Sequence, residues 1–556
     1  MERRVILFIV LTLLVIALPV VLFPPKPVVR RSGGQADTTL TGPTVTESTA
    51  TRPTPSVPSL GSRQGRPPVR PTARETPAET VWVTSPLYRL GFSTRGARLV
   101  WAELLQYHSF APGDSGRHVQ LVPPGQALLV HRLVVGSDTA SLADLAFTAS
   151  ARAVQVGQTG QTLTFTARRG GAQAAITYTF DPAEYRFGVR GHVIGLSGSG
   201  AVLVVGLGDG FRSVEADTLF DYREFAVVTK AAKTQKTAFG ALKPGDRATL
   251  AGPFEWVAIK SKYFFAAALA LEENQPQFGG VVVVGGERPA KVANRAAVWA
   301  TLPVPPGGDF RYDVYVGPLE HRRLAALGHG LDDANPYGWS FFRPIIHPVS
   351  LWVVAILTWM HDQLRLAYGW VLIFFGILVR LLLWPLNQKA MASQLRMQAA
   401  APLLKDAQER YKDNPEKLQK EMMRIYKEYN VNPFGGCLPM FLPLPVLFAL
   451  FFVFANTIEF RGVPFLWLPD LSRADPYFII PVVMGLSMFA VSKVGQIGMP
   501  PNPQTKMLLY FMPAFLTFVF LRFASGLNLY YTVQNLVSIP QQYFLAKRRL
   551  RERGKA

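Results

Sequence analysis

One charged side chain lies inside an otherwise apolar stretch of the chain. The sequence LIFFGILVRLLLWPL, residues 372–386, carries Arg380 about six residues from its inner end. At about 1.5 Å per residue, a membrane helix over this stretch would hold Arg380 roughly 9–10 Å below the bilayer boundary. A charge at that depth costs between about 3 and more than 10 kcal/mol and therefore predicts a partner or a hydrated cavity. Because the other apolar segments carry no Asp or Glu in their interiors, they offer no carboxylate for an internal ion pair.

The last apolar segment, SGLNLYYTVQNLVSIPQQ, carries neutral polar side chains at helical spacing. On a 3.6-residue helix five of them fall within an arc of about 100°. They are Asn528, Tyr531, Thr532, Asn535 and Gln542. We expect this polar stripe to face Arg380 across a hydrated cavity, where the positive charge can receive an acidic group. The alternative is a purely structural arginine capped by backbone carbonyls.

No other group of residues indicates a catalytic or metal site. GLSGSG, residues 195–200, places Ser199 where a nucleophile elbow needs its second glycine, and the chain has neither a Walker A nor an HExxH motif. Cys437 is the only cysteine, which excludes an internal disulfide framework and a cysteine-based zinc site. Single histidines such as His108 and His131 are more often ordinary surface or core residues. We therefore expect no catalytic residue, metal or cofactor.

The apolar segments predict a polytopic α-helical membrane protein with six spans. With 49% apolar and 17% charged residues, the 556-residue chain is too apolar for a soluble protein. Residues 1–23 read as an uncleaved signal anchor, for which a cleaved signal peptide is the alternative. Residues 335–364 hold two short blocks broken by Arg343, Pro344 and Pro348, which favours an amphipathic helix in the membrane interface. The five remaining spans are predicted at about 366–386, 435–456, 477–493, 507–523 and 526–546.

The distribution of Lys and Arg predicts the orientation of these spans. The 387–434 loop carries nine Lys or Arg residues and the 547–556 tail is strongly basic, whereas the 456–476 loop balances Arg461 and Arg473 with three acids. Both termini should therefore lie in the cytoplasm, under the positive-inside rule. Much of the net charge of +21 then faces anionic lipid or ribosomal RNA, and DNA binding is not expected.

A large β domain is predicted between the first two spans. Residues 24–80 are rich in Pro, Thr and Ser and predict a disordered tether. Residues 81–325 contain short alternating runs such as TLTFTA and AAITYTF, which predict an all-β sandwich on the outer side of the membrane.

The 387–434 loop reads as a cytoplasmic helical hairpin. Asn414 and Pro415 are favourable as N-cap and first helical residue of its second helix. Leu418, Met422, Ile425 and Tyr429 form an apolar stripe. An ordinary packed hairpin with a solvated basic face remains open, beside a surface that contacts apolar segments of another protein.

Four stretches together closely resemble the YidC-type membrane protein insertases. They are NPFGGCLPMFLPLPVLFALF (432–451), the arginine span ending RLLLWPL, DPYFIIPVVMGLSMF (475–489) and SGLNLYYTVQNL (525–536). STRGARL (93–99), EWVAIKSKYFFAAAL (255–269) and YVGP (315–318) resemble the periplasmic domain of the Gram-negative branch. The resemblance covers nearly all of the chain except the tether.

This resemblance implies an inner-membrane insertase that places newly made membrane proteins, alone or beside the Sec translocon and its accessory subunits. The resemblance implies that residues 365–546 form a five-helix insertase core with a hydrophilic groove. It also implies that the ribosome and membrane lipids are partners. The implied groove residues that contact the client are Arg380, Asn528, Tyr530, Tyr531, Thr532 and Asn535. On the hairpin the expected client contacts are Met397, Leu404, Met422 and Met423.

Two positions depart from the family pattern, and one function of another class stays open. Pro443 stands where relatives commonly have Gln, and Gly376 stands where some have a hydroxyl residue, so both changes remove polarity from the groove. The competing function is a transporter or channel for a small anionic solute, since polar-striped helices and a buried charge also line solute pathways. The sequence offers no paired nucleophile and base, which an intramembrane enzyme would need.

Overall fold

A computed structural model describes most of the chain beyond residue 77. It describes residues 78–553 except 196–199, 273–276, 289–291, 336, 339–340, 386–387, 389–399, 401–402, 405, 413, 429–443 and 498–502. The predicted first span and nearly all of the tether lie outside these described residues. The chain divides after Ala334 into two compact units, a β unit and a helical unit.

The first unit is built of strands joined by short turns, as its alternating sequence predicts. Most strands alternate buried and exposed residues, the pattern of a sheet with one face in a core. The strands are β1 Thr80–Thr84, β2 Tyr88–Ser93, β3 Leu99–His108, β4 His118–Gln120, β5 Val130–Val135, β6 Asp138–Ser141, β7 Thr148–Ala149, β8 Ala153–Gln155, β9 Gln161–Arg169, β10 Ala172–Phe180, β11 Arg186–Ile194, β12 Val202–Gly208, β13 Ala226–Lys230, β14 Thr234–Ala238, β15 Arg247–Phe254, β16 Trp256–Lys260, β17 Phe264–Leu269, β18 Phe278–Gly285, β19 Ala296–Pro303 and β20 Asp309–Pro318. Two short helices, α1 (Thr218–Glu224) and α2 (His321–Leu327), accompany them.

These strands form three sheets. Their orders are β4-β3-β2-β1-β8, β14-β13-β16-β17-β20-β11-β10-β9-β7 and β15-β18-β19-β12-β5-β6. Neighbouring strands are antiparallel except β1 and β8, which are parallel. In the longest sheet Tyr178, Val189 and Tyr312 lie side by side on adjacent strands. Such cross-strand rows on one face are what a packed core requires.

One face of the nine-stranded sheet packs against both shorter sheets. Phe92 of the five-stranded sheet contacts the rings of Tyr178 and Phe187 on the long sheet, with ring centroids 4.5 and 6.2 Å away. His131 of the six-stranded sheet contacts the hydroxyl of Tyr312 on the same row. The unit is therefore a sandwich in which large aromatic side chains fill the space between the sheets.

His131 is a buried polar residue in this aromatic core. Its side chain is 0% exposed, and its Nε2 lies 2.5 Å from the Tyr312 hydroxyl. Its Nδ1 has no hydrogen-bond partner among the described residues, so a proton on that atom would have no acceptor. Burial lowers the pKa of His131 to about 4. The imidazole is therefore neutral in the folded protein at pH 7, as expected of an ordinary core histidine.

The second unit is helical. Its helices are α3 Arg343–Leu364, α4 Tyr368–Leu382, α5 Pro415–Glu428, α6 Leu444–Asn456, α7 Ile479–Gly495, α8 Pro503–Phe520 and α9 Ser525–Arg553. Apolar side chains of α3, α4, α6, α7, α8 and α9 meet in one core that includes Leu357, Leu372, Leu450, Met484, Phe520 and Leu527. Helices α4 and α6 lie within the segments predicted at about 366–386 and 435–456. Helices α7, α8 and α9 overlap the other three predicted segments, but α7 ends later than predicted, α8 begins earlier, and α9 extends past both predicted ends. The number of spans itself remains a prediction.

The segment that begins at Arg343 is continuous, contrary to the two broken blocks predicted from its prolines. Pro344 lies in the first turn of α3, where a backbone N–H would have no helical partner, and the helix continues through Pro348. Within the described part of the chain, α3 is the one helix that is long and apolar enough to cross a bilayer, judged by length and composition alone. Its placement in the membrane interface is a prediction that these criteria do not test.

The predicted start of the second hairpin helix is confirmed. The Lys417 backbone N–H donates to Asn414 Oδ1 over 3.1 Å, and Pro415 is the first residue of α5. Ile425 of α5 packs with Ala400 and Ala407. The hairpin therefore has a small apolar core of its own.

The buried histidine predicts that the β unit weakens in mild acid. The pKa of His131 is about 4 in the folded protein and about 6.5 in an unfolded chain, so the unfolded state binds more protons between these values. The contribution of neutral His131 to the free energy of unfolding is present above about pH 6.5 and is lost as the pH falls towards 4. This contribution should decrease by about 2 kcal/mol between pH 7 and 5.

Hydrogen exchange of the full-length protein in detergent, read at β5 and β20 and corrected for intrinsic rates, measures this change. A glutamine at position 131 does not titrate and can still bond the Tyr312 hydroxyl. Between pH 7 and 5 the free energy of opening should therefore fall by about 2 kcal/mol less in His131→Gln than in wild type. An equal fall in wild type and His131→Gln would show that other groups carry the acid sensitivity.

Candidate functional site

Arg380 lies in the last turn of α4 and is half-buried. Its Nη2 donates to Oε1 of Gln541 on α9 over 2.9 Å. Among the described residues its hydrogen-bond partner is this neutral amide, and none of their ion pairs includes it. Within the described part of the chain, Arg380 is thus held by a neutral side chain. This amide fixes the guanidinium and brings no negative charge to it.

Two polar atoms of this pair remain without partners. Gln541 is 1% exposed, and its Nε2 has no hydrogen-bond partner among the described residues. The same is true of Arg380 Nε. Both atoms are donors, and a buried donor without an acceptor is costly. The pair therefore contains two buried donors that no acceptor among the described residues satisfies.

A narrow face of α9 carries the residues that meet α4. Tyr530, Gln534 and Gln541 fall within an arc of about 40° on a 3.6-residue helix. Gln534 Nε2 donates to the Gly376 carbonyl over 2.6 Å and to the Tyr530 hydroxyl over 3.2 Å. The Tyr530 ring lies 5.9 Å from that of Phe375, between centroids. These contacts hold the two helices in register beside Arg380.

The predicted polar stripe does not face Arg380. Asn528 Nδ2 donates to the Phe520 carbonyl over 3.0 Å, and Asn535 Nδ2 donates to Ser487 Oγ of α7 over 3.0 Å. Thr532 donates to the carbonyl of Asn528 within its own helix. All three side chains project from the side of α9 opposite Gln541, where Asn528 joins α9 to α8 and Asn535 joins it to α7. The expectation that they surround the arginine is wrong, because an amphipathic arc does not say which neighbour it meets.

The tyrosine pair is divided between the two sides of α9. Tyr530 packs toward α4, whereas Tyr531 lies edge-on to Phe520, 5.9 Å between ring centroids. Gln542, the last member of the predicted stripe, lies against Gly495 at the end of α7. Of the predicted groove residues, the structure brings Arg380 and Tyr530 to the same interface.

Sequence reasoning missed Gln534 and Gln541. They lie four and eleven residues after Tyr530, a spacing that places all three side chains on one face of a helix. At the departure Gly376, the backbone carbonyl accepts a hydrogen bond from Gln534 Nε2, so an amide of α9 brings a polar group to this position. Pro443 lies outside the described residues.

The hairpin residues differ in their exposure. Leu404 packs against the small apolar core of the hairpin, and Met422 is half-buried. Met423 is 56% exposed and lines an open groove on α5 with Lys420, Arg424 and Lys427. Met397 lies outside the described residues. The exposed apolar side chain of this groove is therefore Met423, which lies among basic residues and the acidic residues Glu416 and Glu428.

The loop between α6 and α7 is fastened to the start of α9. The Ser525 hydroxyl donates to the Asp470 carbonyl over 3.1 Å, and the Gly526 N–H donates to the Leu471 carbonyl over 2.9 Å. Asp475 is buried and accepts from the N–H groups of Tyr477 and Ile480 at the start of α7. Backbone and side-chain bonds thus close this end of the helical unit, opposite along α9 from Gln541.

No metal centre is formed by the residues that the structure describes: they contain no group of three or more His, Cys, Asp or Glu side chains that could hold an ion. The site offers a guanidinium, neutral amides and a phenol. This arrangement suits the binding of an anionic group and lacks the paired nucleophile and base of an acyl-transfer or hydrolytic enzyme.

Two family models match consecutive parts of the chain. Residues 80–348 match the YidC periplasmic domain and residues 359–552 match the 60Kd inner membrane protein family. A membrane protein insertase YidC of Syntrophus aciditrophicus (strain SB) is 30% identical over 543 residues, covering 94% of both chains. One of Bordetella avium (strain 197N) is 31% identical over 493 residues, covering 86% of this chain and 85% of its own.

Among solved structures, an active YidC insertase crystal structure with its first transmembrane domain resolved is similar at 18% identity. The match covers 84% of this chain and 94% of that one, with a TM-score of 0.35.

The close contact at the start of α9 makes Gly526 intolerant of a side chain. A Cβ at this position would lie 2.5 Å from Phe454 Cε1, and Phe454 is fully buried. We expect Gly526→Ala to destabilise the helical unit by about 1–3 kcal/mol through overpacking. Thermal unfolding of the full-length protein in detergent, followed by near-ultraviolet circular dichroism, measures the loss.

Gly376→Ala is the matched control. Its Cβ would lie 3.2 Å from a Val533 methyl carbon, which a small shift relieves, so it should unfold close to the wild-type temperature. Equal stability of the two variants would contradict the closeness of the Phe454 contact.

Proposed function

Since the chain belongs to the YidC family and is a membrane protein insertase, we propose that Arg380 receives the acidic tail of a client during insertion. The observation that carries this proposal is the neutral partner of the arginine. Gln541 fixes the guanidinium over 2.9 Å and leaves its charge uncompensated. A carboxylate of a client can therefore bind where no carboxylate of the described chain competes.

The proposed insertion step needs no covalent chemistry. A short acidic tail enters the groove and binds Arg380 and water, while the apolar helix of the client moves along the lipid-facing side into the bilayer. Burial of apolar surface contributes about 25 cal/mol per Å² and supplies the driving force. The membrane potential also favours outward movement of an acidic tail. The groove lowers the barrier because the tail avoids a crossing of pure hydrocarbon.

The expected topology and partners complete the proposal. This inner-membrane protein with a periplasmic domain would have six spans and both termini in the cytoplasm, which places the basic hairpin where clients emerge. Exposed Met423, with Lys420 and Lys427 beside it, supports client contact there. The clients are nascent membrane proteins, and the Sec translocon, the ribosome and membrane lipids are proposed partners. The alternative of a transporter for a small anionic solute finds no support in the family matches.

Insertion into liposomes that contain only this protein tests the role of Arg380. The client is a small single-span protein with an acidic tail. Arg380→Ala should reduce its insertion by about tenfold or more, because a charge-assisted contact of about 1.5–3 kcal/mol is lost. Arg380→Lys keeps the charge without the planar fork and should retain part of the activity. Protease protection of the tail measures insertion.

The outcomes separate three explanations. Equal loss in Arg380→Ala and Arg380→Lys would indicate a structural role that needs the guanidinium itself. Unchanged insertion in both variants would contradict client binding by Arg380. If wild type also fails, insertion of this client needs another component, and the same assay with added Sec translocon follows.

A further inference from the structure

We propose that Gln541 is the positioning residue for Arg380 and that its neutrality makes the groove selective for carboxylates of the client. The inference rests on the proposed function and adds a residue that sets its selectivity. Gln541 is 1% exposed and holds Arg380 Nη2 over 2.9 Å. It therefore determines where the guanidinium points.

The orientation of the amide follows from the chemistry of its partner. A guanidinium has donors only, so the oxygen of Gln541 must face Arg380 and its NH₂ group must point elsewhere. That nitrogen and Arg380 Nε both lack partners among the described residues. The pair thus contains two buried donors, one of them on the charged group, that no acceptor among the described residues satisfies. A carboxylate has two acceptor oxygens and matches this pair better than a neutral acceptor does.

The surrounding contacts hold the pair in place before any client arrives. Gln534 bonds the Gly376 carbonyl over 2.6 Å, one turn before Arg380. Tyr530 packs on Phe375 from the same face of α9 that carries Gln541. Because both helices are fixed near the pair, little freedom has to be lost when a ligand binds.

A neutral residue is required at position 541 for this selectivity. Glutamate has the shape of glutamine but would bring a carboxylate to the same distance from the guanidinium. That carboxylate belongs to the chain and would compete with a client's carboxylate as an intramolecular ligand. Gln541→Glu should therefore occupy the site from within and leave the protein folded.

The experiment compares two clients in proteoliposomes of the full-length protein. One client carries an acidic tail, and the other carries the same tail with Asp and Glu replaced by Asn and Gln. Gln541→Glu should reduce insertion of the acidic client by about tenfold, to the level of Arg380→Ala, because the same charge-assisted contact is lost. Insertion of the neutral client should stay within about twofold of wild type, since it makes no charged contact.

Gln542→Glu is the matched control. It makes the same change one residue later, about 100° around the helix and beside Gly495 instead of Arg380. Insertion of both clients by this variant should equal that of wild type. Gln541→Ala removes the positioning contact without adding a charge. It should weaken insertion of the acidic client by about threefold to tenfold, the effect of losing about 1 kcal/mol of orientation, and spare the neutral client.

Each other outcome overturns the inference. Full insertion of the acidic client by Gln541→Glu would show that the site is not blocked. Equal loss of both clients would make Gln541 merely structural, and equal loss in Gln541→Glu and Gln542→Glu would indicate a general charge effect. If Gln541→Glu does not fold, as judged by thermal unfolding in detergent, the two clients are compared with Gln541→Ala, and equal effects on both overturn it.

Failure of the proposed function is distinguishable. It would show as wild type inserting neither client, or as wild type and Arg380→Ala inserting the acidic client equally. If only the inference about Gln541 is wrong, Arg380→Ala should strongly reduce insertion of the acidic client while Gln541→Glu leaves it unchanged.

Discussion

The contact between Arg380 and Gln541 is the constraint on which the helical unit depends. A half-buried guanidinium has to be hydrogen-bonded, and a carboxylate partner would also neutralise its charge. The amide satisfies one donor group and leaves the charge uncompensated. For this contact to form, α4 and α9 must lie side by side, and the bond from Gln534 to the Gly376 carbonyl holds them together one turn before Arg380. The packing of α4 against α9 therefore also determines the chemistry of the site.

The last helix meets this requirement by carrying two polar faces with different partners. Asn528, Thr532 and Asn535 bond backbone or hydroxyl groups within α9 and on α7 and α8. Gln534 and Gln541 bond α4. In a medium without water, such bonds hold helices together where apolar packing against lipid offers little preference. One face assembles the unit and the other forms the site.

In the β unit, the buried titratable group His131 is neutral, whereas Arg380 in the helical unit stays charged. His131 lies among aromatic rings, and burial holds its pKa at about 4, so it carries no charge at pH 7. Here the cost of a charge is avoided by losing the proton. Arg380 cannot do the same, because a guanidinium keeps its proton under any ordinary condition. For this reason a buried histidine can be an ordinary core residue, whereas a charged arginine inside an apolar segment indicates a functional site.

Sequence alone determined the classes of element and the identity of the central residue. Period-two alternation predicts the strands, apolar runs predict helices α4 and α6–α9, Asn414 predicts the start of α5, and the isolation of Arg380 marks the site. These features are local, so a few consecutive residues suffice to predict them. The tertiary structure decided which face of α9 meets Arg380, that α3 runs unbroken past Pro348, and how the strands pair into three sheets. Periodicity places residues on a face but does not say which neighbour that face meets, because contacts distant in sequence depend on the packing of the whole unit.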